Sequence, residues 1–126
     1  MVVDTSILLA VFFNERFGPW AADQLRDHAS DLRMSTVNYA EALILVHDRQ
    51  PQLFAEIREA IQASSIRLVA PTSDQAEIAA AARLRYPLNL GDCFAYALAR
   101  QEDCPLLTLD RDFLKTDLTV VFPKAV

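Results

Sequence analysis

The chain has 126 residues, a mass of 14.1 kDa, 52% apolar and 23% charged residues, and a net charge of −5. That is the size of one ordinary domain and the balance of a globular one, so disorder over most of the chain is excluded and the core needs no disulfide or metal. A simple electrostatic binder of nucleic acid would be basic, so the informative question is where the 17 acidic residues fall.

Residues 1–3 are a short apolar run ending in Asp4 and read as a first strand. Residues 5–14 read as a buried helix, with Asp4 and nearby hydroxyls as capping groups. A second helix spans 19–28, where Pro19 suits a first turn and Trp20, Ala21, Leu25 and Ala29 have helical spacing. Residues 32–36 are a second strand, followed by a helix over 37–48 that Pro51 ends, and a further helix over 52–63. The β-branched, apolar stretch 66–70 is a third strand. A helix over 73–85 leads through a loop at 86–91 into an almost wholly apolar helix at 92–102, buried on most sides. Residues 105–109 are a fourth strand, 110–115 a short helix or turn, and 119–122 a fifth strand.

Strands alternating with helices imply an α/β protein: a three-layer α/β/α sandwich around a mostly parallel five-stranded sheet, with residues 1–126 as one domain. The longest apolar runs, 7–13 and 93–99, are far short of the ~20 residues that span a bilayer. No basic segment precedes the first run, so no secretory signal is expected and the expected location is the cytoplasm. With only Gly18 and Gly91, no glycine-rich phosphate loop can be built. Cys93 and Cys104 would lie ~16 Å apart along a helix, too far for a disulfide, and with His28 and His47 they form no zinc spacing.

The acids follow the elements. Asp4 ends the first strand, Asp110 ends the fourth with Asp112 two residues on, and Asp92 opens the buried helix before the fourth strand. In a parallel sheet these positions meet at the rim where open α/β sheets bind ligands. Glu41 sits mid-helix among Val37, Ala40, Ile44 and Leu45, on the apolar stripe, where a carboxylate is costly unless satisfied. Taken singly, Asp4, Asp92 and Asp110 are ordinary helix caps, Glu41 could pair with an arginine, and Asp112 is a solvated first-turn acid. Taken together, they crowd like charges that a divalent cation would relieve. An all-oxygen set selects Mg²⁺ or Mn²⁺ over zinc and suits a phosphodiester substrate.

These residues also carry a resemblance. Met1-Val2-Val3-Asp4-Thr5-Ser6, the Ser35–Ala42 stretch around Glu41, Leu88-Asn89-Leu90-Gly91-Asp92-Cys93-Phe94-Ala95-Tyr96-Ala97-Leu98-Ala99 and Pro105-Leu106-Leu107-Thr108-Leu109-Asp110-Arg111-Asp112-Phe113 follow in order over nearly the whole chain. The chain resembles a PIN-domain ribonuclease of the VapC toxin type, one half of a toxin–antitoxin pair. The resemblance implies an acidic quartet of Asp4, Glu41, Asp92 and Asp110. Asp4 and Asp92 would be direct Mg²⁺ ligands, and Ser6 would offer a hydroxyl. Some relatives carry Gly-Asp-Asp-Phe where this chain has Asp110-Arg111-Asp112-Phe113, so Asp112 is the alternative fourth acid; Asp110 is favoured because it directly follows the strand.

The resemblance further implies cleavage of RNA of the tRNA or rRNA class to a 3′-hydroxyl and a 5′-phosphate, halting translation. It also implies a VapB-like antitoxin that inserts a segment, often an arginine, into the acidic pocket, and a homodimer. All basic residues but Lys115 and Lys124 are arginines, suited to bidentate phosphate contacts. Arg83, Arg85, Arg111 and Lys115 flank the acidic motifs and are the candidate RNA contacts, with Tyr86 a candidate for stacking a base. A phospho-receiver module is the rival reading, but Asp4 is followed by Thr5 rather than a second acid, and the third strand ends at Ala70-Pro71 without an aspartate. A catalytically inactive binding module of the same fold is the other rival, and retention of all four acids argues against it.

Overall fold

The computed structural model describes residues 1–124; the last two positions of the expected unit lie outside the described residues. Strands β1 (Val2–Val3), β2 (Arg33–Ser35), β3 (Arg67–Val69), β4 (Leu106–Leu107) and β5 (Val120–Val121) form one sheet in the order β3-β2-β1-β4-β5. Every pairing is parallel, so the sheet is more regular than the mostly parallel one expected. β1 is central. The chain builds outward to β2 and β3 on one side, and later to β4 and β5 on the other. This reversal opens a crevice beyond the carboxyl ends of β1 and β4.

Helices α1 (Thr5–Phe12), α2 (Gly18–Asp27), α3 (Thr36–Arg49) and α4 (Phe54–Ala63) cover one face, and α5 (Ser73–Arg85) and α6 (Leu90–Glu102) cover the other. The period-two alternation of the strands sorts the core. Val3, Met34 and Leu107 pack with Ile7, Leu8, Val46, Ile57 and Ile61, whereas Val2 and Leu106 pack with Ala79, Ala82, Leu98 and Phe113. Two apolar layers against one sheet explain why such short strands hold: both faces are buried, as parallel sheets require. Among the described residues no helix is long and apolar enough to cross a membrane.

Two helix starts and the burial of one helix face differ from the sequence reading for physical reasons. The expected helix 52–63 begins instead as a 3₁₀ turn, Pro51–Leu53, closed by the Leu53 N–H donating to the Gln50 carbonyl at 2.9 Å, and is α-helical from Phe54. α6 starts at Leu90 rather than Asp92: Asn89 is the cap, accepting from the Asp92 N–H at 2.8 Å, while Asp92 Oδ2 accepts from the Asn89 N–H at 3.4 Å. Asp92 is therefore the third helical residue of a capping box. The stripe of α3 is also less buried than expected: Glu41 is half-buried and Ile44 is 66% exposed. Both cysteines are free thiols, as expected.

Candidate active site

Asp4 follows β1 and caps α1. It is only 3% exposed, yet its carboxylate is well supplied with donors. Oδ1 accepts from the Ser6 N–H at 3.1 Å and the Ser6 hydroxyl at 2.6 Å, and Oδ2 accepts from the Thr108 hydroxyl. Ser6 Oγ in turn accepts from the Leu109 N–H at 2.9 Å, and Thr108 Oγ1 accepts from the Asp110 N–H at 2.9 Å. The end of β1 is thereby stitched to the end of β4. Asp110 caps the 3₁₀ turn Arg111–Lys115 through Oδ1, which accepts from the Asp112 N–H at 2.9 Å.

Asp92 enters from the first turn of α6 and Glu41 from the second turn of α3. Thr5 at the start of α1 donates its hydroxyl to Glu41 Oε1. Asn38, one turn before Glu41, donates from Nδ2 to the Gly91 carbonyl at 2.9 Å. Glu41 also lies directly over the Gly91 α-carbon, where any Cβ would fall 2.5 Å from Oε2. The absent side chain at Gly91 is what lets α3 and α6 bring these two acids side by side.

The electrostatics of this rim are unbalanced. Among the described residues no lysine or arginine pairs with Asp4, Glu41, Asp92 or Asp110. Burial pushes the Asp4 carboxyl up to about 6, against the hydrogen bonds from Ser6, Thr108 and Ile7, with Asp110 adding repulsion. Burial pushes Asp92 up to about 7, with Asp110 the next contributor, Asp4 and Glu41 adding, and only the Asn89 N–H opposing. The four acids thus sense one another across the crevice.

Asp112 stands apart. It is paired with Lys115 at 3.4 Å and does not figure among the groups that raise Asp4 or Asp92. Asp110, by contrast, adds to the rise of both Asp4 and Asp92.

Among the described residues no three His, Cys, Asp or Glu side chains close into a ready-made metal cage. The donor set nonetheless fits a hard divalent cation. Mg²⁺ uses one or two carboxylates, keeps several waters and takes the rest of its ligands from substrate phosphate. Glu41 Oε2, Asp92 Oδ1 and Asp110 Oδ2 receive no hydrogen bond from the described residues and are open acceptors on this rim.

None of the basic candidates pairs with the rim acids among the described residues. Arg83 borders a small hollow with Leu90 and Cys93, next to Asp92. Arg85 lies 4.9 Å over the Tyr86 ring, on the side of α6 that carries Tyr96 and Arg100. Arg111 lies 5.5 Å over Phe122, and Lys115 is engaged by Asp112. Tyr86 is half-buried, its ring 5.6 Å from that of Tyr96. An apolar hollow of about 640 Å³ opens beside Glu41, bordered by Val37, Ala40, Ile44, Leu45 and the 72% exposed Leu90.

Sequence reasoning assigned no role to Thr5, Asn38 or Thr108. Each is a small polar residue buried beside an acid, and only Thr108, between Leu107 and Leu109, stands out in the sequence as a polar side chain inside an apolar run.

The PIN domain family matches residues 1–118. Ribonuclease VapC of Mycolicibacterium smegmatis is 36% identical over 134 positions, covering 96% of this chain and 99% of that one. Ribonuclease VapC42 of Mycobacterium tuberculosis is 32% identical over 127 positions, covering 94% and 96%. Two solved structures share the fold. Mycobacterium tuberculosis VapC20, described as a sarcin-ricin loop cleaving toxin, superposes with a TM-score of 0.84 at 18% identity, covering 97% of this chain and 98% of that one. A toxin–antitoxin complex from Klebsiella pneumoniae gives 0.81 at 24% identity, covering 99% and 98%. The chain belongs to the PIN-domain family and, within it, to the VapC ribonucleases.

Proposed function

We propose that this protein is a divalent-metal-dependent endoribonuclease that acts in the cytoplasm as the toxin of a toxin–antitoxin pair. What supports the reading is that Asp4, Glu41, Asp92 and Asp110 pair with no lysine or arginine among the described residues, and that Asp4, Glu41 and Asp110 all act on Asp92, in a chain of the VapC ribonuclease family. Asp4 and Asp92 would hold Mg²⁺, or Mn²⁺ in its place, and Glu41 and Asp110 would complete the pocket directly or through water. When bound, the cation would screen the carboxylates, polarise the phosphoryl oxygens and lower the pKa of an attacking water. Water adds across the phosphodiester, the bond from phosphorus to the 3′-oxygen breaks, and a 3′-hydroxyl and 5′-phosphate remain.

The chain's own groups do the positioning. Ser6 and Thr108 fix the Asp4 carboxylate by hydrogen bonds to both of its oxygens. Arg83, Arg85, Arg111 and Lys115 are the candidate phosphate contacts for RNA of the tRNA or rRNA class, with Tyr86 a stacking surface. The antitoxin would be VapB-like: an apolar segment suits the hollow along α3, and an arginine within it would meet Glu41 at the hollow's edge. A homodimer is the expected state of the free toxin.

The test is cleavage of end-labelled RNA by wild-type protein and by Asp92→Asn purified in parallel. Cleavage is expected only from wild type, stopped by chelator and restored by Mg²⁺ or Mn²⁺. Equal cleavage by both proteins, or full activity in excess chelator, overturns the reading.

A further inference from the structure

Glu41 is held from two sides by groups that are not themselves acids. On one side is the Thr5 hydroxyl. Thr5 is buried, and its Oγ1 lies within reach of both Glu41 Oε1 and the Asn38 carbonyl, the latter at 3.2 Å. A hydroxyl has one hydrogen, and the carboxylate is the stronger acceptor, so the hydroxyl donates its hydrogen bond to Glu41. On the other side is the bare α-carbon of Gly91, over which the carboxylate packs so closely that a Cβ would fall 2.9 Å from its carbon and its second oxygen as well.

Asn38 completes the arrangement. It is 1% exposed, and its single side-chain hydrogen bond runs from Nδ2 to the Gly91 carbonyl, while Oδ1 has no partner. A buried amide with one orphaned oxygen is costly, and its remaining bond links α3 to the residue before Asp92. Thr5, Asn38 and Gly91 therefore form a chain of contacts from the end of β1, through α3, to the first turn of α6. It holds Glu41 beside Asp92 through groups that carry no charge of their own, with Thr5 next to Asp4 in the chain.

We infer that Thr5, Asn38 and Gly91 are positioning residues that act through Glu41, setting where its carboxylate stands relative to Asp92. The inference rests on the ribonuclease reading above and adds three residues that reading does not use. Residues that orient metal-site groups in this way typically change affinity or activity by about 10- to 100-fold when replaced.

The experiment compares Thr5→Val, which keeps the shape and removes the hydroxyl, with Thr5→Ser, which restores it. Steady-state RNA cleavage with Mg²⁺ is measured for each. Thr5→Val is expected to lower kcat by about 10- to 100-fold with KM nearly unchanged. Thr5→Ser should recover most of the loss. In a Glu41→Gln background Thr5→Val should cost little more, because a residue acting through Glu41 has nothing left to act on. The amide resonances of Gly91 and Asp92 should move in Thr5→Val and return in Thr5→Ser, independently of activity.

Gly91→Ala is the second variant. Alanine favours the helix and meets only the end of a flexible side chain, so the fold is kept and kcat should fall as in Thr5→Val. Wild-type kcat in both Thr5→Val and Gly91→Ala, or a full additional loss in the Glu41→Gln background, overturns the inference. Failure of wild type itself to cleave RNA would instead strike the ribonuclease reading.

Discussion

The two ends of the sheet treat charge in opposite ways. At the amino ends of the strands Asp31, Glu102 and Asp117 each have a basic partner. Asp31 accepts from the Met1 amino group at 3.1 Å and from Arg33, Arg33 also meets Glu102 at 3.1 Å, and Arg67 reaches Glu102 at 3.6 Å. The Met1 amino group and Arg33 hold the Asp31 carboxyl below the usual carboxylate range. At the carboxyl ends, Asp4 and Asp92 are held near 6 and 7, and no basic side chain among the described residues answers them. Paired charge at one end serves the fold. Unpaired charge at the other is a cost the fold carries for something it binds.

The sharpest way to break this contrast is to neutralise one acid of the unpaired end. Asp4→Asn or Asp92→Asn should lower RNA cleavage by roughly 10²–10³-fold or more while leaving the fold intact, read by cleavage rate and circular dichroism side by side. Next in size is the difference between the two acids after β4. Asp110→Asn should lose most activity, and Asp112→Asn, whose carboxylate faces Lys115, should lose little. Equal losses would move the fourth position to Asp112.

A third effect is on stability. Asp4 and Asp92 bind protons more tightly in the folded chain than in the unfolded one. Their contribution is therefore fully favourable below the ordinary carboxylate range and is lost as pH rises through about 6 and about 7. For buried Asp4 the rise to about 6 corresponds to about 3 kcal/mol. Metal-free protein should melt at a higher temperature at pH 5 than at pH 7.5. Mg²⁺ or Mn²⁺ should raise Tm more at pH 7.5, where the carboxylates are ionised. Asp31 and Asp117 are lowered and lose their contributions only in more acidic solution, outside this window. The smallest effect belongs to the paired end: Arg33→Met should cost about 1 kcal/mol in denaturant unfolding and leave cleavage unchanged.

The paired and unpaired ends were not equally legible in the sequence. The acidic rim was, because an acid after an apolar strand, repeated at Asp4 and Asp110, has one meeting place in a parallel sheet. The ordered motifs around Glu41 and Asp92 supplied the other two. The capping role of Asn89 was hidden because Leu90 and Gly91 look like loop, being an exposed apolar residue and a glycine; only the fold shows that Gly91 is bare to admit Glu41. The exposure of Ile44 was illegible for a related reason: helical periodicity marks an apolar face but not whether a neighbour covers it. Thr5, Asn38 and Thr108 were missed because their partners lie 33 to 104 positions away along the chain. The ion pairs of Arg33 and Arg67 with Glu102 were equally hidden, since they depend on the register that sets Arg33 opposite Arg67.

The central claim, that the unpaired carboxylates exist to hold a divalent cation, is tested most directly by a crystal grown with Mn²⁺ and measured where manganese scatters anomalously. The account predicts an anomalous peak between the carboxylates of Asp4 and Asp92 that disappears in Asp92→Asn. A rim without a manganese peak in crystals whose other sites bind the ion, or a peak that persists unchanged in Asp92→Asn, would contradict it.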